Sequence, residues 1–283
     1  MNQAPGIVYR DRELEFTERD FQQIRTLIAE RAGIVLAEHK RDMVYSRLGR
    51  CVRSRGLARF SDYLSALSQK NAKEDWQEFV NALTTNLTAF FREPHHFQLL
   101  ATHFRERQQN SGEPIRIWSA GASTGEEPYS IAIALREVLG DCPLAPKILA
   151  TDIDSEALKR ARTGIYRLEQ VRRQVDEQRV HRFFLKGSGA RAGFARVRPE
   201  IAQQVTFRQL NFVGAQWPIQ QRFDAIFCRN VMIYFDRETQ VRLLDRFASL
   251  LNKGGLLFVG HSENFSHLTH RFRLRGQTVY TLT

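Results

Sequence analysis

The chain of 283 residues is 42% hydrophobic, which supplies apolar surface for one large or two smaller cores and excludes a disordered or fibrous protein. No apolar run reaches the roughly 18 residues of a membrane-spanning helix, and Met1 to Arg12 lacks a signal core, so a cytoplasmic location is expected. Lys and Arg number 42 against 31 Asp and Glu, a net charge of +11 that invites an acidic partner: nucleic acid, an anionic membrane surface or a carboxylate-rich protein. Cys51, Cys142 and Cys228 are odd in number and lack metal-ligand spacing, so they read as ordinary buried thiols, with neither a disulfide nor a metal site expected.

From Thr17 to about Ala82 the periodicity is helical throughout. A first helix carries Phe21, Ile24, Leu27 and Ile28 on one face behind a Thr17 N-cap, and others are predicted at His39–Gly56, Phe60–Gln69 and Trp76–Leu83, with Gly33 and Gly56 suited to ending helices. Pro94 interrupts the helical pattern of the next stretch. Residues 1–85 therefore read as a helical domain, 86–109 as a linker, and 110–283 as a second domain.

In that second domain strands alternate with helices: a strand at Ile115–Trp118, a helix at Glu127–Leu139, a strand from Lys147 ending at Asp152, then a helix from Asp154 to Thr163. Strands at Gln204–Gln209 and Phe223–Cys228, a helix at Arg237–Leu251, a strand at Leu256–Gly260 and a terminal antiparallel hairpin about Gly276 follow. This order predicts an α/β fold with a mostly parallel sheet covered by helices on both faces. The glycine-marked run near residues 180–200 suits a small antiparallel insert.

A glycine-rich turn between a first strand and first helix is where such a sheet receives a nucleotide, and Ser119–Gly125 occupies that position. Its spacing matches neither the dinucleotide fingerprint nor a phosphate-binding loop. Asp152, ending the second strand, is placed to accept ribose hydroxyls, whereas Asp154 reads as a helix cap. The loop Cys228–Phe235 lines the same crevice.

Four stretches, Asn86–Glu93 (NLTAFFRE), Ala120–Ile131 (AGASTGEEPYSI), Phe227–Phe235 (FCRNVMIYF) and Gly260–Asn264 (GHSEN), resemble the signature segments of the CheR family, the chemotaxis receptor glutamate methyltransferases. The resemblance runs over nearly the whole chain, from residues 31–36 and 39–44 to 275–280. It implies a Rossmann-like class I S-adenosylmethionine-dependent methyltransferase with an N-terminal all-α domain. It nominates Asn86, Thr88, Arg92, Glu127, Asp152, Asn211, Phe212, Arg229 and Asn230 as contacts of S-adenosylmethionine, and Arg92 and Tyr234 as the groups that align the acceptor. An ionised glutamate needs no general base, which suits a pocket without an obvious base pair.

Helical spacing gathers Arg47, Arg50 and Arg53, and in the family this basic helix docks the helical methylation region of receptors. Gly187, Gly189 and Gly193 resemble the β-subdomain with which some members hold a receptor C-terminal pentapeptide; a plain surface hairpin is the alternative. A monomer is expected, touching the membrane only through receptors. The rival class, a nucleic-acid methyltransferase, ranks lower because Arg229–Tyr234 lacks the prolines of amino-methylating DNA enzymes. A non-enzymatic module retaining the fold is the third reading.

Overall fold

The computed structural model describes residues 14–69, 72–108, 113–140 and 145–283, and the chain divides into two compact units between Thr84 and Thr85. The first unit is helical: α1 (Glu18–Ala32), α2 (Arg41–Ser54), α3 (Phe60–Leu67) and α4 (Lys73–Leu83). Thr17 caps α1 reciprocally, its hydroxyl accepting from Asp20 N while the Asp20 carboxylate accepts from Thr17 N. Phe21, Ile24 and Ile28 are buried with Val44, Leu48, Val52, Phe60, Leu64 and Phe79, whereas Leu27 stays half-buried at the rim of the stripe.

The second unit begins with α5 (Pro94–Gln108), β1 (Arg116–Ala120), α6 (Glu126–Leu139), β2 (Lys147–Asp152) and α7 (Ser155–Thr163). Next come β3 (Ile165–Arg167), α8 (Leu168–Gln174), α9 (Glu177–Phe183), β4 (Phe184–Lys186), β5 (Phe194–Val197) and α10 (Pro199–Ala202). Then follow β6 (Val205–Gln209), β7 (Phe223–Cys228), α11 (Arg237–Leu250), β8 (Leu251–Val259), β9 (Phe272–Gly276) and β10 (Val279–Leu282). The main sheet has the order β6-β2-β1-β7-β8-β10-β9, parallel from β6 to β8, with β10 antiparallel to both of its neighbours.

Strand alternation sends Ile117, Phe227 and Phe258 into one core with Phe97, Leu100, Phe104, Ile131 and Leu135 of α5 and α6. Trp118, Ile226 and Leu257 enter the opposite core with Leu243, Leu244 and Phe247 of α11. The sheet is thus covered on both faces, which is why β7 is buried along its whole length.

Two expectations are corrected. Pro94 does not interrupt a helix; it opens α5, where its missing N–H has no intrahelical partner to lose. The segment 86–109 therefore groups with the second unit, with Phe97, Leu100 and Phe104 in its core. The antiparallel insert also reaches beyond residues 180–200. Its sheet has the order β3-β5-β4, so it recruits Ile165–Arg167, a strand too short to reveal alternation, and encloses α8 and α9.

Candidate active site

From β1 the chain steps outward to β2 and β6, then returns to the other side of β1 as β7. The carboxyl ends of β1 and β7 therefore flank the switch point where α/β sheets receive ligands. After β1, Gly121 N and Ala122 N donate to Thr151 O at 2.8 and 2.9 Å, which turns the loop sharply. Gly121 has φ 106°, and a Cβ there would lie 2.3 Å from Val231 Cγ2, so only glycine fits.

Three charged groups interlock behind this loop. The Arg229 side chain, 2% exposed, lies 3.1 Å from Glu127 and 3.4 Å from Glu93, and also donates to the carbonyl of Arg92. Ser119 Oγ donates to the other oxygen of Glu127 at 2.7 Å. Burial pushes the Glu127 carboxyl up, against the pull of Arg229 and Ser119. Glu93 is also penalised by burial, yet Arg229 and His261 together hold it below the usual carboxylate range. The segment that delivers these groups is strained, with Phe91 and Glu93 at φ 52° and 57°.

At the end of β2, Asp152 accepts from Ser123 N at 2.8 Å and Asp154 N at 2.9 Å, and burial raises its carboxyl despite both bonds. With the Ile153 amide as a third backbone donor, a carboxylate of about four acceptor positions still leaves Asp152 capacity for a ribose hydroxyl. Asp154 caps α7 as expected, accepting from Glu156 N and Ala157 N. Asn86 bridges the two loops, donating to Asp154 at 2.7 Å and accepting from Ser123 Oγ at 3.0 Å.

The loop after β7 hangs on a residue that sequence reading did not single out. Glu263, buried, accepts from four backbone N–H groups: Asn230 at 2.9 Å, Gly260 at 2.6 Å, Val231 at 3.1 Å and Ile233 at 3.3 Å. Burial raises its carboxyl even so. This support holds Asn230 at φ 58° and leads into the short 3₁₀ turn Met232–Tyr234. Tyr234 is half-buried, and among the described residues its hydroxyl makes no hydrogen bond. An acid within Gly260–Asn264, just past a buried strand, was the available signal.

The remaining nominated residues divide. Arg92 is half-buried and donates to Leu87 O at 3.0 Å, and Thr88 is half-buried on the same segment. Asn211 turns the chain after β6 by accepting from Val213 N. The Phe212 ring is packed among Trp118, Trp217, Phe235 and Phe247, so any ligand contact of this residue falls to its main chain.

In the helical unit, Arg50 and Arg53 are exposed, but Arg47 is not a free docking group: it donates to the carbonyls of Leu83 and Thr84, closing the end of α4. Neighbouring arginines of residues 40–59 are engaged as well: Arg41 pairs with Glu18, Arg55 with Asp75 and Glu78, and Arg59 with Glu15. Gly187, Gly189 and Gly193 shape the connection from β4 to β5. A Cβ on Gly187 would strike Arg191 O at 2.1 Å, and the other two have φ 55° and 83°. Cys51 and Cys228 are buried free thiols, and Cys142 lies outside the described residues.

Residues 86–281 match the family described as CheR methyltransferase, SAM binding domain, and residues 19–84 the CheR methyltransferase, all-alpha domain. The chain is 56% identical over 270 residues to the chemotaxis protein methyltransferase of Escherichia coli, covering 95% of this chain and 93% of that one. It is 53% identical over 281 residues to the Salmonella typhimurium protein of the same name, covering 99% and 96%. Chemotaxis protein methyltransferase 2 of Pseudomonas aeruginosa is 53% identical over 278 residues, covering 98% of each. The chain belongs to the CheR family of S-adenosylmethionine-dependent methyltransferases.

Proposed function

We propose that the chain transfers a methyl group from S-adenosylmethionine to glutamate side chains of chemotaxis receptors, giving glutamyl methyl esters and S-adenosylhomocysteine. The observation that carries the choice of acceptor is that the acids around the crevice are already engaged. Glu127 and Glu93 share Arg229, and Asp152 and Glu263 each hold several loop amides. None is placed as a general base. A glutamate acceptor needs none, since at pH 7 only about one in 500 is protonated at an ordinary pKa near 4.3.

S-adenosylmethionine suits these residues. Asp152 has acceptor positions for the ribose, Gly121 admits close approach to the backbone, and Asn86, Thr88, Arg92, Glu127, Asn211, Phe212, Arg229 and Asn230 border the same loops. Bound there, the sulfonium supplies an electrophilic methyl carbon. Arg92 offers a paired donor fork to the incoming carboxylate and the Tyr234 hydroxyl one further donor, so both orient rather than activate it.

Docking falls to Arg50 and Arg53, with the receptor's Glu-rich helical region as the acidic partner. A receptor C-terminal pentapeptide adds to the small sheet along β4, which pairs only with β5 among the described residues. No helix among the described residues is long and apolar enough to cross a membrane, and we place the protein as a cytoplasmic monomer that reaches the membrane through receptors. Nucleic acid is not a partner in this reading. Transfer of labelled methyl to receptors followed by mild base tests the assignment: released label is expected, because carboxyl esters hydrolyse, and base-stable label overturns it.

A further inference from the structure

Glu93, His95 and His96 each bring a donor atom to within 4.8 Å of the other two. His96 is fully buried, and its Nε2 faces two acceptors, Gln277 O at 2.9 Å and Thr278 Oγ1 at 3.1 Å. The Thr278 hydroxyl proton is itself directed to Gln277 O at 2.7 Å, so Nε2 must carry the imidazole proton. Nδ1 is then a bare lone pair, 3.5 Å from Glu93 Oε2; neither atom makes a hydrogen bond, and the positive neighbour of Oε2 is Arg229, 3.4 Å away.

Two buried acceptors facing each other call for something electron-poor between them. A bridging water would satisfy both atoms but gives no use to a third donor, and His95 brings one to the same point, its ring 4.3 Å from that of His96. Ligands of a tetrahedral zinc ion, bonded at about 2.0–2.1 Å, lie roughly 3.3–3.5 Å apart, close to the 3.5 Å between His96 Nδ1 and Glu93 Oε2, with the His95 donor within 4.8 Å of both. An imidazole N–H donated to a backbone carbonyl is also the outer contact that orients a metal-binding histidine.

We propose that Glu93, His95 and His96 form a site for one divalent d-block cation, Zn²⁺ by its donor set, with a fourth position open to solvent or anion. The site draws Glu93 away from Arg229, 3.4 Å distant, so binding is of moderate strength and reversible. Loosening of the Glu93–Arg229–Glu127 array then weakens cofactor binding. This coupling rests on the proposed cofactor site; the metal site itself does not.

The test is titration of Zn²⁺ into metal-free full-length protein by calorimetry, with Co²⁺ absorption as a second readout. One equivalent is expected to bind at micromolar concentration, to give the intense visible bands of four-coordinate Co²⁺, and to weaken by about tenfold or more in His95→Ala or His95→Gln. Absence of micromolar binding, binding unchanged in both variants, or the weak bands of six-coordinate Co²⁺ overturns the site. In parallel, Zn²⁺ is expected to lower cofactor affinity in the wild type and not in His95→Ala; bound zinc with unaltered cofactor affinity overturns the coupling and leaves the metal site standing.

Discussion

Replacing Glu263 by glutamine removes a charge and turns one acceptor oxygen into a donor. The Glu263 carboxylate receives two amides on each oxygen: Asn230 and Gly260 on Oε2, Val231 and Ile233 on Oε1. Glutamine serves one pair and confronts the other with an NH₂ group. Losing two hydrogen bonds to a charged acceptor costs about 3–6 kcal/mol. Burial penalises the ionised carboxyl, and glutamine escapes that penalty, so the net loss is placed at about 2–4 kcal/mol. For a unit of this size that lowers Tm by roughly 4–16 °C. Scanning calorimetry reads the shift, and equilibrium binding reads a fall in cofactor affinity as the loop bearing Asn230 and Tyr234 loses its anchor. A Tm within about 2 °C of wild type together with unchanged affinity would refute the reasoning, since the amides would then have found other acceptors.

Gly121→Ala places a Cβ against Val231 at a φ of 106°, and strain plus overpacking of about 2–6 kcal/mol is expected to abolish measurable cofactor binding in equilibrium dialysis. Asp236→Ala removes the cap of α11, where Asp236 accepts from Thr239 N at 2.7 Å, and is expected to cost about 1 kcal/mol at pH 7. The Thr239 backbone and side-chain hydrogen bonds depress the Asp236 carboxyl, so this contribution is present above the unfolded value of about 3.9 and is lost as pH falls through the folded one. Wild type and variant should converge in denaturant stability at strongly acid pH. Arg47→Ala should destabilise the helical unit by about 1–2 kcal/mol through the Leu83 and Thr84 carbonyls. Arg50→Ala should leave stability within about 0.5 kcal/mol and instead slow receptor methylation, less so as salt rises.

Periodicity made most of the second unit readable, because long apolar strands between amphipathic helices leave few topologies, and Thr17 and Asp154 were legible as caps from local chemistry alone. Legibility failed where partners are distant in sequence. Arg47 reads as part of a bare basic helix face until folding brings the end of α4 against it, and nearby Arg41, Arg55 and Arg59 meet Glu18, Asp75, Glu78 and Glu15 in the same way. Phe212 shows a different limit: a motif nominates a position, not a side-chain role, and this ring packs in the core. Ile165–Arg167 carries too few residues for a period of two to show.

Electrostatics ties the site together. Burial raises the carboxyls of Glu127, Asp152 and Glu263, and hydrogen bonds, with the Arg229 charge at Glu127, oppose it. A chain of net charge +11 that concentrates buried acids beside one crevice is suited to a cationic ligand there and to an acidic partner over its outer surface. Methyl transfer removes the sulfonium charge and leaves the thioether product less attracted to the acids by that charge. The acceptor carboxylate would be repelled by the same acids, and that is the role left for Arg92. Its segment is fastened by the bond from Arg229 to the Arg92 carbonyl and by the bond from the Arg92 side chain to Leu87 O. On this reasoning an Arg92→Lys variant keeps the attraction but loses the paired geometry, so turnover should fall more than receptor affinity.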